Sequence, residues 1–177
     1  NYAAKSKAMW GVPCPIFVRA VAMEGGIGPV AGGAHHSMAM RMPGINVVAP
    51  MTPGEYEACW KWFMEHDEPM YVSEHRKSFS IDYETPDLVN TEIKPDITIV
   101  AIGAARLNAI QAAIKLKTDG INCNLFHQLW LKPLKLANAH KLFDSLNMSG
   151  IGLVIDGDFE CCGASQSIAY YLMTAMR

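Results

Sequence analysis

The second half of the chain alternates short apolar runs with helical stretches. The runs at 96–102, 122–129 and 151–155 are continuously apolar, and each is followed by a predicted helix, at 107–118, 135–146 and 164–176. Continuous apolar strands separated by helices are typical of a parallel sheet that is covered on both faces. The connections between such strands are expected to be right-handed crossovers. This order predicts an α/β fold built of parallel-sheet β-α-β units.

The first half of the chain carries the same alternation less regularly. Predicted strands lie at 12–20, 45–50 and 69–74, and residues 53–66 read as a helix with Thr52 as its N-cap. The polar stretch at 78–95 contains two prolines and reads as a linker. We therefore predict two subdomains, residues 1–86 and residues 87–177.

The charge pattern limits the classes of partner. Fifteen basic residues stand against 17 acidic ones, the net charge is −2, and no run of Lys or Arg occurs. Binding to nucleic acid or to an anionic membrane surface usually requires concentrated positive charge. We expect protein or small-molecule partners, with no nucleic acid and no membrane.

The cysteines indicate a reducing compartment. There are five, an odd number, and none forms a C-x-x-C pair. The adjacent Cys161 and Cys162 are interpreted as ordinary thiols rather than as a redox centre, because small buried thiols are the commoner case. We expect a cytoplasmic location, or the mitochondrial matrix if the source is eukaryotic.

Chemistry is predicted for a loop after the first apolar run. Residues 25–37 hold five glycines and the adjacent pair His35 and His36. Glycine lets the backbone approach a ligand closely, and histidine is suited to moving protons near neutral pH. The pattern predicts a loop that wraps a ligand, with a histidine as the catalytic group.

Several motifs, taken in order, resemble the β subunit of the thiamine diphosphate-dependent decarboxylating component of 2-oxo acid dehydrogenase complexes (pyruvate, branched-chain or acetoin type), in the transketolase-like superfamily. The resemblance covers nearly the whole chain. It rests on Gly25-Gly26-Ile27-Gly28, His36-Ser37, Pro43-Gly44-Ile45-Asn46-Val47-Val48-Ala49-Pro50, Asp67-Glu68-Pro69, Glu74-His75, Leu131-Lys132-Pro133-Leu134 and Ile155-Asp156-Gly157. It implies part of a pyrimidine-binding domain in residues 1–86 and a transketolase C-terminal-like domain in residues 87–177.

The resemblance implies one catalytic residue. His36 matches the family histidine that lies over the cofactor's thiazolium and helps to move protons, and His35 and Ser37 flank it on the substrate side of the loop. The family's activating glutamate precedes the segment matching Asn1, so we expect it to be absent from this chain. Glu24 does not match its position. No cofactor-binding side chain is therefore assigned.

The resemblance also implies cofactors. Thiamine diphosphate and Mg²⁺ are expected to be held mainly by a partner chain, and a monovalent cation by backbone carbonyls near residues 63–67. We predict no metal site made of side chains. Asp156-Gly157-Asp158 is interpreted as a chain reversal.

The function implied is that of a fragment, incomplete at both ends, of such a β subunit. It would take part in the oxidative decarboxylation of pyruvate or a branched-chain 2-oxo acid, with acyl transfer to a lipoyl-bearing acyltransferase. An α subunit and a second β subunit are the expected partners, and the isolated chain is expected to be inactive because family active sites lie between chains. Two alternatives remain open: the C-terminal part of a transketolase or split transketolase subunit, and a non-catalytic oligomerisation remnant.

Overall fold

The computed structural model describes residues 2–23 and 32–176. The glycine-rich part of the predicted loop, including Glu24 and Gly25 to Gly28, lies outside the described residues. The elements are α1 (Tyr2–Trp10), β1 (Phe17–Ala22), α2 (His36–Met40), β2 (Asn46–Val48), α3 (Pro53–Glu65), β3 (Met70–His75), a 3-10 helix (Arg76–Ser80), β4 (Ile97–Ile102), α4 (Ala105–Thr118), β5 (Cys123–Gln128), β6 (Trp130–Lys132), α5 (Ala139–Ser149), β7 (Gly152–Ile155) and α6 (Ala164–Ala175).

The chain forms two compact units. The first comprises Asn1–Glu84 together with Leu129–Lys135, and the second comprises Thr85–Gln128 and Leu136–Arg177. This division differs from the continuous one predicted at residues 86 and 87 because a short segment of the second half belongs to the first unit. The α/β class predicted from the sequence is confirmed.

The first unit contains a four-stranded sheet in the order β1-β3-β2-β6. Strands β1 and β2 both run parallel to β3, as predicted. Strand β6 runs antiparallel to β2, which corrects the expectation of purely parallel pairing. The predicted strand at 122–129 ends at Gln128, and the chain then turns so that the Leu129 carbonyl accepts from the Ala49 N–H at 3.0 Å.

Helix α3 begins where its sequence predicts. The Thr52 side chain accepts from the Glu55 backbone N–H while the Glu55 carboxylate accepts from the Thr52 N–H, which is a complete capping box. The helix packs on the sheet through Cys59, which is buried, and through Trp62, which contacts the core, whereas Met64 is 66 % exposed.

The second unit contains a three-stranded parallel sheet in the order β5-β4-β7. Its core is an apolar cluster of strand and helix residues: Ile99, Ala101, Ala109, Ala113 and Leu125. The predicted linker contributes to this unit, because Leu88 and Leu125 exchange backbone hydrogen bonds of 2.9 and 2.8 Å. No helix within 2–23 and 32–176 has the length and apolarity needed to cross a membrane.

Candidate active site

The site lies at the carboxyl ends of parallel strands in the first unit. Ala22 and His75, the last residues of β1 and β3, are direct partners in the ladder. Helix α2 begins at His36 and packs against β2 and β3. Ligands of open α/β sheets bind at this edge, outside the carboxyl ends of the strands.

His36, the predicted catalytic residue, is a buried imidazole held by a neighbouring strand. Its side chain is 2 % exposed, and its Nδ1 atom lies 3.1 Å from the hydroxyl oxygen of Ser73 on β3. This hydrogen bond restricts rotation of the ring. A histidine with a fixed ring orientation is suited to transferring a proton at a defined position.

His35 and Ser37, the two chain neighbours of His36, lie on either side of the start of α2. His35 occupies the N-cap position, where its side chain makes no capping hydrogen bond, and Ser37 is the second helical residue. Both are half-buried. The three predicted residues are thus close together because they are consecutive in the chain, and His36 is the most buried of the three.

Lys132 of β6 holds the other end of α2. Its Nζ atom donates to the carbonyl oxygen of Met40 at 3.0 Å and also to that of Met42. Carbonyls at a helix C-terminus have no intrahelical donor and carry partial negative charge, so a lysine there is favourable. Partial burial lowers the pKa of Lys132. In the sequence, Lys132 stands out only as part of Leu131-Lys132-Pro133-Leu134, and its distance along the chain from α2 gives no signal of this contact.

Glu74, the residue that follows Ser73 on β3, has a buried carboxylate. Glu74 has a side chain that is 1 % exposed, and it accepts from Nε and Nη2 of Arg19 at 2.6 and 2.8 Å. Arg19 comes from β1 and is itself largely exposed, and its hydrogen bond with Glu74 raises the pKa of Arg19. The pair links β1 to β3 and neutralises the buried charge.

A chain of hydrogen bonds continues from α3 to the end of β3. The Ser78 hydroxyl donates to the His75 carbonyl at 2.6 Å, so the Tyr56 hydroxyl, 2.8 Å away, must donate to Ser78. Burial raises the pKa of Tyr56 to about 12, which keeps this donor protonated. The Lys77 N–H donates to His75 Nδ1 at 3.2 Å, so the neutral His75 ring carries its proton on Nε2. The Tyr56–Ser78 contact was not predicted because it joins residues 22 positions apart, whereas the contacts of Lys77 and Ser78 with His75 are local.

Other candidate groups lie away from this edge. The Asp158 N–H donates to Oδ1 of Asp156 at 3.3 Å, as in a chain reversal. Cys161 and Cys162 are exposed, contrary to the expectation of buried thiols. In the described part of the chain, no three side chains of His, Cys, Asp or Glu come together as a metal site would require.

The fold and the buried imidazole define an α/β protein with a candidate ligand site at its strand ends. The chain belongs to the transketolase family: the pyrimidine-binding domain of transketolase matches residues 1–80, and the transketolase C-terminal domain matches residues 87–176. This confirms the predicted superfamily, which depends on thiamine diphosphate.

Its relatives include dehydrogenase β subunits. The chain is 26 % identical over 165 residues to 2-oxoisovalerate dehydrogenase subunit beta of Bacillus subtilis, covering 82 % of this chain and 47 % of that protein. It is also 26 % identical over 185 residues to the beta subunit of acetoin:2,6-dichlorophenolindophenol oxidoreductase from the same organism, covering 96 % of this chain and 52 % of the relative. The chain thus spans about half the length of these relatives.

A solved structure shows the same fold. A split-gene transketolase, described as an inactive β4 tetramer, superposes with a TM-score of 0.68 at 22 % identity, covering 91 % of this chain and 54 % of that one. The likeness supports the α/β architecture of both units.

The side chains at the strand ends fit one part of the family's cofactor chemistry. A buried imidazole oriented by a hydroxyl suits proton transfer next to a reacting carbon. Mg²⁺ prefers carboxylate and carbonyl oxygens to hydroxyl and imidazole groups, and the Glu74 carboxylate at this edge is already bound by Arg19. The residues described here therefore fit the reacting side of thiamine diphosphate rather than its diphosphate end.

Proposed function

We propose that this chain is part of a β subunit of a thiamine diphosphate-dependent 2-oxo acid dehydrogenase, acting in the decarboxylation of pyruvate or a branched-chain 2-oxo acid. The observation that carries the proposal is the buried His36, oriented by Ser73 at the carboxyl edge of the sheet. The 2-oxoisovalerate dehydrogenase β subunit among its relatives supports the substrate class.

His36 is proposed to move the proton. Thiamine diphosphate, when bound, would supply a nucleophilic carbon for the 2-oxo group and a cationic ring able to take up the electron pair released on decarboxylation. In this proposal the His36 imidazole transfers the proton while Ser73, at Nδ1, sets the orientation of the ring. The burial of His36 excludes bulk water, which strengthens its electrostatic effect on a bound substrate.

The remaining parts of the enzyme are proposed to come from other chains or segments. An α subunit would hold most of the diphosphate and Mg²⁺, a second β subunit would complete the assembly, and a lipoyl-bearing acyltransferase would accept the acyl group. The isolated 177-residue chain is then expected to be inactive.

The test is an assay of the complete gene product, co-expressed with a candidate α subunit. Carbon dioxide release from pyruvate and from branched-chain 2-oxo acids is measured with and without thiamine diphosphate. A matched His36→Ala variant should lose about 10²–10⁴-fold in turnover, as expected for a positioned proton-transfer group. An exposed-site variant, His140→Ala, serves as the control because His140 lies on the exposed surface of the second unit.

The outcomes separate the alternatives. Cofactor-dependent release of carbon dioxide supports the proposal and identifies the substrate. Transfer of a two-carbon unit from a ketose phosphate would assign the chain to transketolase instead. The absence of both activities in a complex that assembles would favour a non-catalytic role, and an unchanged turnover in His36→Ala would remove His36 from the mechanism.

A further inference from the structure

Helix α2 is too short to fix its own position. It has five residues, His36–Met40, and isolated helices of this length are unstable in water because nucleation is unfavourable. The direction of the His36 side chain therefore depends on groups outside the helix. Two such groups are the Ser73 hydroxyl, at the N-terminal end of α2, and the Lys132 ammonium, at its C-terminal end.

Lys132 reaches α2 from a strand that is itself well anchored. Strand β6 pairs with β2 through Val47 and Val48. The ring of Trp130, the first residue of β6, meets the ring of Trp62 edge to face at 5.2 Å, which attaches this end of the strand to helix α3 of the same unit. Three residues beyond β6, Nζ of Lys135 lies 3.9 Å from the Trp130 ring centroid and adds a cation–π contact.

The two carbonyls that Lys132 binds lie at and just after the helix end. Met40 is the last residue of α2, and Met42 follows it by two positions. One ammonium group bridging both fixes where the helix stops and therefore how it is rotated about its axis. Because His36 lies one turn earlier, a shift of the helix end moves its ring with respect to Ser73.

We propose that Lys132 is a positioning residue, which acts through the C-terminal end of α2 to hold His36 in its reactive orientation. The inference deepens the proposed function and rests on it for the catalytic consequence. The effect of Lys132 on the orientation of the His36 ring does not depend on the proposed function, since both residues belong to the first unit.

The first experiment measures geometry in the full chain without an activity assay. Lys132→Met removes the donor with similar length, Lys132→Arg retains a cationic donor, and Lys61→Met removes an exposed lysine from α3 as the control. The ring ¹⁵N and ¹³C resonances of His36 and the amide exchange rates of α2 are compared by NMR.

Lys132→Met is expected to shift the His36 ring resonances and to speed amide exchange in α2 by about tenfold, as expected for losing a hydrogen bond from a charged donor. Exchange in β3 should stay unchanged, Lys132→Arg should restore most of the wild-type spectrum, and Lys61→Met should have no effect. Unchanged His36 resonances in Lys132→Met, or equal acceleration throughout the first unit, would overturn the proposal.

The second experiment uses the assembled enzyme. Lys132→Met should reduce kcat while leaving KM within about twofold, because orientation affects the transition state rather than substrate binding. Adding it to His36→Ala should cause no further loss. A full additional loss in the double variant would place Lys132 in a separate role, whereas a wild-type complex with no activity would overturn the proposed function and leave the NMR result valid.

Discussion

His36 and Ser73 connect helix α2 to strand β3 by a buried hydrogen bond of 3.1 Å between Nδ1 and Oγ. The two residues are 37 positions apart in sequence, and both are at least nine-tenths buried. The orientation of the His36 ring is thus set by a hydroxyl on an inner strand of the sheet, and Ser73 is a structural determinant of the candidate site.

Replacing Ser73 by Ala should destabilise the protein. The change leaves a buried imidazole nitrogen without its hydroxyl partner, at a cost of about 1–3 kcal/mol in the free energy of unfolding. Urea denaturation followed by tryptophan fluorescence measures this. The exposed Ser80→Ala is the matched control and should change the free energy by less than about 0.5 kcal/mol. Equal stability of Ser73→Ala and wild type would show that this hydrogen bond contributes nothing.

The pair of Arg19 and Glu74 should respond unequally to the removal of each partner. Arg19→Met leaves a carboxylate buried without its counter-ion, whereas Glu74→Gln leaves a mostly exposed guanidinium that water can solvate. We expect Arg19→Met to cost more stability than Glu74→Gln. The double variant should be more stable than Arg19→Met alone, and chemical denaturation of all three at one pH provides the comparison. A larger loss in Glu74→Gln would contradict this account.

His127 should make stability depend on pH in the acid range. Burial, assisted by the positive charge of Arg106 and opposed by Asp87, lowers the pKa of His127 to about 4 from an ordinary value of 6.5. Between these values the unfolded chain binds more protons than the folded one, so stability falls as pH decreases from 6.5 towards 4. The contribution of one such group is at most about 1.4 kcal/mol per pH unit.

Denaturation of wild type and His127→Gln at pH 6.5 and pH 4.5 tests the His127 prediction. The variant should lose less stability between the two pH values than wild type does. His140→Gln, an exposed histidine of the same unit, should follow wild type. An identical pH dependence in His127→Gln and wild type would assign the acid sensitivity to other groups.

Removing one hydroxyl from a buried hydrogen-bond network in the second unit should also lower the free energy of unfolding. Ser145 Oγ lies 2.7 Å from Thr98 Oγ1 and accepts from Asn124 Nδ2 at 3.0 Å. Ser145→Ala removes both contacts from a site that is 1 % exposed, so we expect a loss of about 1–3 kcal/mol. Ser149→Ala, in the same helix but less buried, should cost less. The free energies of unfolding from urea titration compare them, and the reverse order would contradict the prediction.

Local signals predicted the fold well. Thr52, Pro53 and Glu55 specify the start of α3 by backbone chemistry within one turn, and the apolar runs of the second half correspond to β4, β5 and β7. Such features depend on neighbours in sequence, which the sequence displays directly. The α/β class and the parallel pairing of β4, β5 and β7 follow from them.

Contacts between distant segments could not be predicted in this way. Strand β6 has three residues and pairs with a strand about 80 positions earlier, and Lys132 meets carbonyl groups 90 and 92 positions away. Backbone carbonyls leave no trace in the residue types that provide them. His36 could be singled out because its loop composition was unusual, but Ser73 and Lys132 were ordinary residues until the fold brought them close to α2.

The placement of β6 has a consequence for how this polypeptide can be divided. The backbone leaves the second unit after Gln128, supplies the fourth strand of the first sheet and returns at Leu136. A single cut within residues 85–95 would therefore yield an N-terminal fragment without its outermost strand, while the C-terminal fragment would carry that strand away. Each unit is therefore made of two separate segments of the chain. A gene fragment that encodes one continuous stretch cannot contain all of one unit without part of the other.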